Sequence, residues 1–299
     1  MPHVHSASAA HRTRLVGVFV LTLSIFVIEV AGGLASNSLA LLADAGHVFT
    51  DVFGIGLALA AIWIAGRPAT NERSFGFLRV EIFAAVANAI LLFGIAAFIL
   101  YEAWRRLSEP PEIASGLMLA VALVGLVANG ISLFLLRDAQ GQSLNMRGAY
   151  LEVMGDLLGS IAVIVAAIVI AVTGWTGADI VASVVIGLLI LPRTWGLLRE
   201  ALDVLLEATP KGINLDHVRA HILEAPGVVG VHDLHAWTIT SGMNVVSAHV
   251  VLGEDAKTGD ILDHLGTCLS DDFDVKHSTF QLETPEHVQW EARGEQAQL

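Results

Sequence analysis

Long apolar runs alternate with short polar connections along the first two thirds of the chain. A helix that crosses a membrane needs about 20 mostly apolar residues, and six runs reach that length. The predicted spans are residues 14–34, 39–64, 79–103, 113–136, 147–173 and 178–198. Six spans return the chain to the side from which it started. We therefore predict an all-α transmembrane domain of six helices.

A different pattern follows the break Thr209-Pro210-Lys211-Gly212. Apolar residues first recur at helical spacing, and two alternating β-branched segments then meet at Ser241-Gly242. The predicted elements are helices at 214–224 and 258–270 and strands at 228–240, 244–252 and 275–282. This order is typical of a small two-layer α+β domain with the ferredoxin-like arrangement αββαβ.

Arginine residues determine the predicted orientation, because basic residues concentrate at the cytoplasmic ends of membrane helices. With both termini in the cytoplasm, two arginines, Arg105 and Arg106, flank the outer ends of the spans. Nine arginines then flank the inner ends: Arg12, Arg14, Arg67, Arg73, Arg79, Arg137, Arg147, Arg193 and Arg199. The pattern predicts that both termini are cytoplasmic and that the protein lies in the inner (cytoplasmic) membrane.

Together these patterns predict four parts. They are a cytoplasmic histidine-containing tail at 1–13, the transmembrane domain at 14–208, a cytoplasmic α+β domain at 209–290 and a C-terminal tail at 291–299. The first tail holds His3, His5 and His11, which could collect metal ions, although we favour a mobile segment. Residues 209–299 carry a net charge of −9, so most of the negative charge of the chain lies outside the membrane.

Composition narrows the class of protein further. Of the 299 residues, 55% are apolar and 15% are charged, whereas soluble proteins contain about a quarter charged residues. A lipid bilayer is therefore the expected surrounding. With 16 basic and 29 acidic residues and a net charge of −13, a nucleic-acid partner is disfavoured. The single cysteine, Cys268, excludes a disulfide framework and a metal site built from cysteine alone.

Ionisable residues inside the spans are the first candidates for chemistry, because they are costly to place in hydrocarbon. The second span contains Asp44, His47 and Asp51, and the fifth contains Glu152 and Asp156. His47 and Asp51 are four residues apart, as are Glu152 and Asp156. Each pair therefore lies on one face of its helix.

Two such helices can supply four ligands to one ion, which is the tetrahedral number that Zn²⁺ prefers. One imidazole nitrogen and three carboxylates, with no thiolate, disfavour monovalent copper. Small residues beside both pairs allow the helices to approach closely. The alternative is that these groups only form hydrogen bonds between helices. We favour the metal site, because five such groups in two spans are too costly for packing alone.

Other acidic residues in the spans have more than one interpretation. Asp44 lies one turn before His47, where it can support the ligands or relay protons. Glu81 is a second candidate for these roles, although an ion pair with Arg79 is an equal alternative. We expect Glu29 and Glu102 to be interfacial, because they lie toward the ends of their spans.

Four segments resemble the cation diffusion facilitator family. They are LLADAGHVFTD at 41–51, SFGFLRVE at 74–81, SLNMRGAY at 143–150 and VHDLHAW at 231–237. The resemblance runs from about residue 12 to about residue 285. It implies a proton-coupled exporter of divalent metal ions that works as a homodimer by alternating access, without enzymatic activity. It also implies that His47, Asp51 and Asp156 are ligands of the transported ion.

Glu152 stands where many zinc transporters of this family have histidine. That variant resembles the CzcD-type branch, which is associated with cobalt, zinc and cadmium efflux. A cluster of three carboxylates in a low dielectric cannot remain fully ionised, so the empty site should hold at least one proton. Metal ions and protons can then displace each other. Zn²⁺ is the expected main cargo, with Cd²⁺ and Co²⁺ also carried.

The resemblance also places metal sites in the cytoplasmic domain. His232, His249 and Glu283 fall where the family binds zinc, and His235 and His277 are further candidates. Divalent ions between the acidic domains of a dimer would relieve their repulsion. Zn²⁺ is thus expected as cargo and as a regulatory ion, and no organic cofactor is expected.

Three alternatives differ from zinc export. An intramembrane metalloenzyme is disfavoured because the HExxH spacing is absent. A membrane-anchored metal sensor would not need six spans with ionisable residues in their middles. The same transporter with Co²⁺, Ni²⁺ or Mn²⁺ as its main cargo stays open, because a site rich in oxygen ligands also suits these ions.

Overall fold

The computed structural model describes residue 20 and residues 22–137, 144–254 and 256–288. Both predicted tails, including His3, His5 and His11, lie outside the described residues. For Glu152 the structure describes the backbone, which is helical, but not the side chain.

Six helices follow the six predicted spans. They are α1 (Thr22–Ser36), α2 (Leu39–Ala65), α3 (Val80–Ser108), α4 (Ser115–Leu136), α5 (Leu144–Thr173) and α6 (Gly177–Leu205). Helices α3 to α6 each contain a stretch long and apolar enough to cross a membrane, and α1 is a shorter apolar helix within the described residues. The predicted all-α transmembrane region is therefore confirmed. Its helices α3 and α6 extend several residues beyond their predicted ends.

The first of two compact units comprises the described residues up to Ala60 together with Ala84–Leu198. Its core consists of apolar side chains, including Leu41, Met118 and Val163. Large apolar side chains such as Phe134 instead point outward. This is the arrangement expected of helices that pack on one another and face lipid on the other side.

A buried carboxylate on α6 determines where α2 begins. Asp179 accepts hydrogen bonds from Ser38 Oγ at 2.6 Å and from the backbone N–H groups of Leu39 and Ala40 at 2.8 and 3.1 Å. The first N–H groups of a helix have no partner within the helix, so an acceptor from α6 satisfies them. The residues that follow on α2 include the predicted ligands.

The second unit comprises Ala61–Phe83 and the described residues from Arg199 onward. Its elements after α6 are α7 (Leu215–Leu223), β1 (Val228–Thr240), β2 (Met243–Leu252), α8 (Thr258–Phe273) and β3 (Val275–Glu283). The predicted order αββαβ is confirmed, and each element ends within three residues of its predicted limits.

The three strands form one sheet in the order β1-β2-β3. Strands β1 and β2 are antiparallel and are joined by a tight turn in which Gly242 has φ +70°. Strand β3 runs parallel to β2, so α8 is the crossover between them. Apolar side chains from the helices and the sheet, including Ile222, Val246 and Leu265, form the core.

Candidate metal centres

Helices α2 and α5 bring three of the four predicted ligands together. Ligand atoms of His47, Asp51 and Asp156 all lie within 4.8 Å of one another. His47 Nε2 is 3.0 Å from Asp156 Oδ1, and the two side chains are 16% and 12% exposed. Glu152 lies one turn before Asp156 on α5, and its side chain is outside the described residues.

The local sequence explains how α2 presents its two ligands. His47 and Asp51 are one helical turn apart, so both face the same neighbours. The helix can approach α3 closely because a Cβ on Gly46 would lie 2.9 Å from Ile95 Cγ2. Among the described residues, the buried His47 Nδ1 has no hydrogen-bond partner. The imidazole is thus oriented by its Nε2 contact with Asp156.

His47, Asp51 and Asp156 form what we call the membrane cluster. Its ligand atoms suit a divalent cation. One imidazole nitrogen and two carboxylates are ligands that Zn²⁺ and similar ions accept. Acidic side chains in an apolar surrounding are stabilised by a positive charge between them. A metal ion can provide that charge, and protons can provide it when the metal ion leaves.

Two further carboxyl groups are buried in the same unit. Asp44 is 3% exposed and accepts a hydrogen bond from Ser160 Oγ at 3.5 Å. Glu29 is 1% exposed, so the expectation that it is interfacial is wrong. The sequence contained a signal for this burial: Gly32 and Gly33 follow at i+3 and i+4, and small residues on the same face mark a helix contact.

Glu102 is also largely buried, but it has charged partners. Its side chain is 11% exposed, and Oε1 lies 2.8 Å from Arg105 Nη2 and 3.2 Å from Arg106 Nε. Arg106 also donates a hydrogen bond to the carbonyl oxygen of Asn37 at 2.7 Å. Glu102 thus belongs to an ion-pair network near the α1–α2 turn.

Glu81 contacts the turn between β1 and β2. Its carboxylate accepts hydrogen bonds from Thr240 Oγ1 at 2.5 Å and from Ser241 Oγ at 2.8 Å. Arg79, the predicted partner of Glu81, forms an ion pair with Glu207 at 2.7 Å. These contacts give Glu81 a role in holding the turn, which differs from the predicted support of the ligands or proton relay.

A second cluster lies at one end of the sheet. Ligand atoms of His232, His249 and Glu283 all lie within 4.8 Å of one another. His232 on β1 pairs with His249 on β2 in the sheet register. Glu283 Oε2 is 2.9 Å from His232 Nε2, and Oε1 is 2.7 Å from His249 Nδ1. Two imidazoles and a carboxylate fit three positions of a tetrahedral zinc site.

The electrostatics of this second cluster favour an ionised carboxylate. Burial raises the pKa of Glu283, but hydrogen bonds from His232 and Gln281 outweigh that effect, and the pKa falls below its ordinary value of 4.5. The Glu283 side chain is 1% exposed. A buried carboxylate that stays ionised is suited to holding a cation.

Asp233 is a neighbour of this cluster that the sequence analysis missed. The register of β1 shifts between His232 and His235, and Asp233 has φ +48°. Its carboxylate lies 2.8 Å from His235 Nε2 and 3.6 Å from His249 Nε2. A hydrogen bond from His235 lowers the pKa of Asp233. An aspartate directly after a candidate histidine ligand was the available signal.

The other two predicted histidines lie apart from the converging ligand atoms. His235 contacts Asp233, and its side chain is 64% exposed. The ring of His277 lies edge-on to Phe75, with 5.9 Å between the ring centroids. Among the described residues, the converging set in this part of the chain consists of His232, His249 and Glu283.

An apolar helical region with a buried His-carboxylate cluster, followed by a small α+β domain, defines a membrane transporter of cations. Two family descriptions match the chain: the cation efflux transmembrane domain over residues 15–206 and the cation efflux protein cytoplasmic domain over residues 210–285. The chain belongs to this family. It is a cation efflux protein and not an enzyme.

Several relatives align over nearly the whole chain. The metal cation efflux system protein CzcD of Cupriavidus metallidurans is 47% identical, over 94% of this chain and 89% of its own length. The zinc transporter ZitB of Escherichia coli is 38% identical, over 95% of this chain and 93% of its own length. The cadmium, cobalt and zinc/H(+)-K(+) antiporter of Bacillus subtilis is 36% identical, over 96% of this chain and 93% of its own length.

One solved structure is also similar. It is the metal-bound C-terminal domain of the CzcD transporter from Cupriavidus metallidurans, at 39% identity and a TM-score of 0.23. The match covers 24% of this chain and 99% of that domain.

Proposed function

We propose that this protein is a proton-coupled antiporter that exports divalent metal ions from the cytoplasm by alternating access. Zn²⁺ is the main cargo, and Cd²⁺ and Co²⁺ are also carried. The observation that carries the proposal is the convergence of His47, Asp51 and Asp156 within 4.8 Å. The similarity of this chain to a zinc transporter and to a cadmium, cobalt and zinc antiporter supports the choice of cargo.

The transported ion would bind between α2 and α5. His47 provides a nitrogen, Asp51 and Asp156 provide oxygens, and Glu152 completes the proposed set of four. Binding of a divalent cation displaces protons from such ligands. Protons that enter from the other side of the membrane compete for the same groups and release the ion. Exchange therefore needs no separate energy source beyond the proton gradient.

The proposed orientation places both termini in the cytoplasm and the protein in the inner membrane. The excess of arginines at the inner ends of the spans supports it. His232, His249 and Glu283 would then bind Zn²⁺ on the cytoplasmic side as a regulatory ion. We further propose a homodimer, in which bound cations reduce the repulsion between two acidic C-terminal domains.

Metal-driven proton movement in proteoliposomes tests this proposal. The full-length protein is reconstituted with a pH-sensitive dye, and Zn²⁺, Cd²⁺, Co²⁺, Ni²⁺ and Mn²⁺ are added in turn. We expect the largest signals with Zn²⁺ and Cd²⁺ and no signal with Asp51→Ala. A dominant response to Co²⁺, Ni²⁺ or Mn²⁺ would contradict Zn²⁺ as the main cargo but would still support the antiport mechanism. No response to any ion would contradict the antiporter.

A further inference from the structure

Glu29 is a buried acidic residue that is not among the proposed metal ligands. It lies on α1, is 1% exposed, and its Oε2 has no hydrogen-bond partner among the described residues. A carboxylate that is buried without a partner costs several kcal/mol. A carboxyl group in such a place is stable while it carries a proton, and it releases the proton only to a nearby acceptor.

The neighbouring helices leave room for this carboxyl group. A Cβ on Gly125 of α4 would lie 2.9 Å from Glu29 Oε1 and 3.4 Å from Ser160 Oγ. Glu29 Oε1 and Ser160 Oγ therefore border the same gap, next to Gly125. Asp44 fills a similar gap, because a Cβ on Gly159 would lie 2.8 Å from Asp44 Oδ1. Ser160 Oγ donates a hydrogen bond to Asp44 Oδ2 at 3.5 Å. Polar groups therefore extend from Glu29 past Ser160 to Asp44.

This series of groups leads toward the membrane cluster. Asp44 lies one turn before His47 on α2, on the side of the α1–α2 turn. Among the described residues, the acidic side chains that act electrostatically on Glu29 are Asp44 of α2 and Asp156 of α5, and the residue of α4 beside its carboxyl group is Gly125. In the proposed orientation, the α1–α2 turn is at the outer face of the membrane. Glu29 is thus on the side from which protons would enter.

We infer that Glu29 carries protons in the transport cycle and delivers them through Ser160 to Asp44, next to the metal ligands. In this step the proton of Glu29 moves to Ser160 Oγ while the hydroxyl proton of Ser160 moves to the Asp44 carboxylate. Glu29 is left as a carboxylate and takes up a new proton from the outer side. The inference rests on the proposed function, because it assigns a route to the protons that the exchange requires.

Two modes of exchange separate proton carriage from metal handling. Exchange of zinc for zinc across a membrane needs binding and alternating access but no net movement of protons. Exchange of zinc for protons needs binding, alternating access and net movement of protons. A residue that only carries protons therefore affects the second mode alone, whereas a residue that supports the fold affects both.

The test uses full-length Glu29→Gln in proteoliposomes with a zinc isotope. We expect zinc-for-zinc exchange within about twofold of wild type and zinc-for-proton exchange lower by about tenfold or more. Glu29→Asp keeps the carboxyl group and should recover part of the lost exchange. Glu109→Gln, an exposed carboxyl in the α3–α4 connection, is the matched control and should retain both modes.

Two results would overturn the inference. One is wild-type zinc-for-proton exchange in Glu29→Gln, which would show that no proton passes through this side chain. The other is loss of zinc-for-zinc exchange in Glu29→Gln, which would show a structural role. If the wild-type protein performs neither exchange, the proposed function fails as well, and binding of zinc by the wild type then distinguishes a non-transporting protein from an unfolded one.

Discussion

Ser38 and Asp179 are 141 residues apart in the chain, yet Ser38 Oγ donates a 2.6 Å hydrogen bond to the buried Asp179 carboxylate. The same carboxylate accepts the first N–H groups of α2 and lies 3.7 Å from Arg106 Nη1. Helix α6 thus fixes the start of α2. His47 and Asp51 follow along the same helix, so this contact sets the depth at which they face α5.

Asp179→Ala should destabilise the transmembrane domain strongly. The change leaves the buried N–H groups of Leu39 and Ala40 without their acceptor and removes the ion pair with Arg106. We therefore expect the free energy of unfolding to fall by about 3 kcal/mol or more. Ser38→Ala removes the hydrogen bond to Asp179 and the one that Ser38 Oγ accepts from the Leu41 N–H, and should cost about 1 to 2 kcal/mol. Denaturant unfolding in detergent compares the two variants. Equal losses of unfolding free energy in the two variants would contradict the conclusion that Asp179 both caps α2 and pairs with Arg106.

Acid should loosen the end of the sheet through Glu283. Its pKa in the folded protein is below the ordinary value of 4.5, so its stabilising contacts are complete above that pH. They are lost as the pH falls below 4.5 toward the lowered folded-state pKa. Hydrogen exchange of β2 and β3 amides in the metal-free protein, between about pH 6 and pH 3, measures this change.

Glu283→Gln should remove most of that pH dependence, because the amide does not titrate. Glu254→Gln, a change at an exposed carboxyl in the connection after β2, should retain it. If Glu283→Gln and the wild-type protein lose protection over the same pH range, other carboxyl groups are responsible.

Glu81 should act through the turn that it holds. Because Thr240 and Ser241 both donate to its carboxylate, we expect Glu81→Gln and the double variant Thr240→Val/Ser241→Ala to have the same effect. Amide exchange at the β1–β2 turn should rise by about tenfold in both. A loss of proton-coupled transport in Glu81→Gln, but not in the double variant, would instead favour a proton relay.

Periodicity and spacing were sufficient for the architecture and for part of the candidate sites. Apolar runs of spanning length predicted the helices, and β-branched alternation predicted both ends of β1, Val228–Thr240. The i, i+4 spacing of His47 and Asp51 predicted a shared face on one helix. That these residues meet Asp156 depends on how α2 and α5 pack, which spacing within a single helix does not contain.

The sequence analysis was weakest where burial depends on distant helices. Glu29 lies near the end of α1, so its position suggested an interface, whereas Gly125 of α4 leaves the space that buries it. Asp179 was not singled out, because an acidic residue in the first turn of α6 is common. Its role as the cap of another helix depends on a contact between distant parts of the chain.

The central claim is that the membrane cluster of α2 and α5 holds the transported ion, and zinc flux through Asp156→Ala tests it most directly. The measurement compares reconstituted wild type, Asp156→Ala and the exposed control Glu112→Ala, with thermal unfolding recorded for each. We predict that Asp156→Ala remains folded and that its zinc flux falls by about 100-fold or more, while the control keeps wild-type flux. Wild-type zinc flux in folded Asp156→Ala would contradict the account.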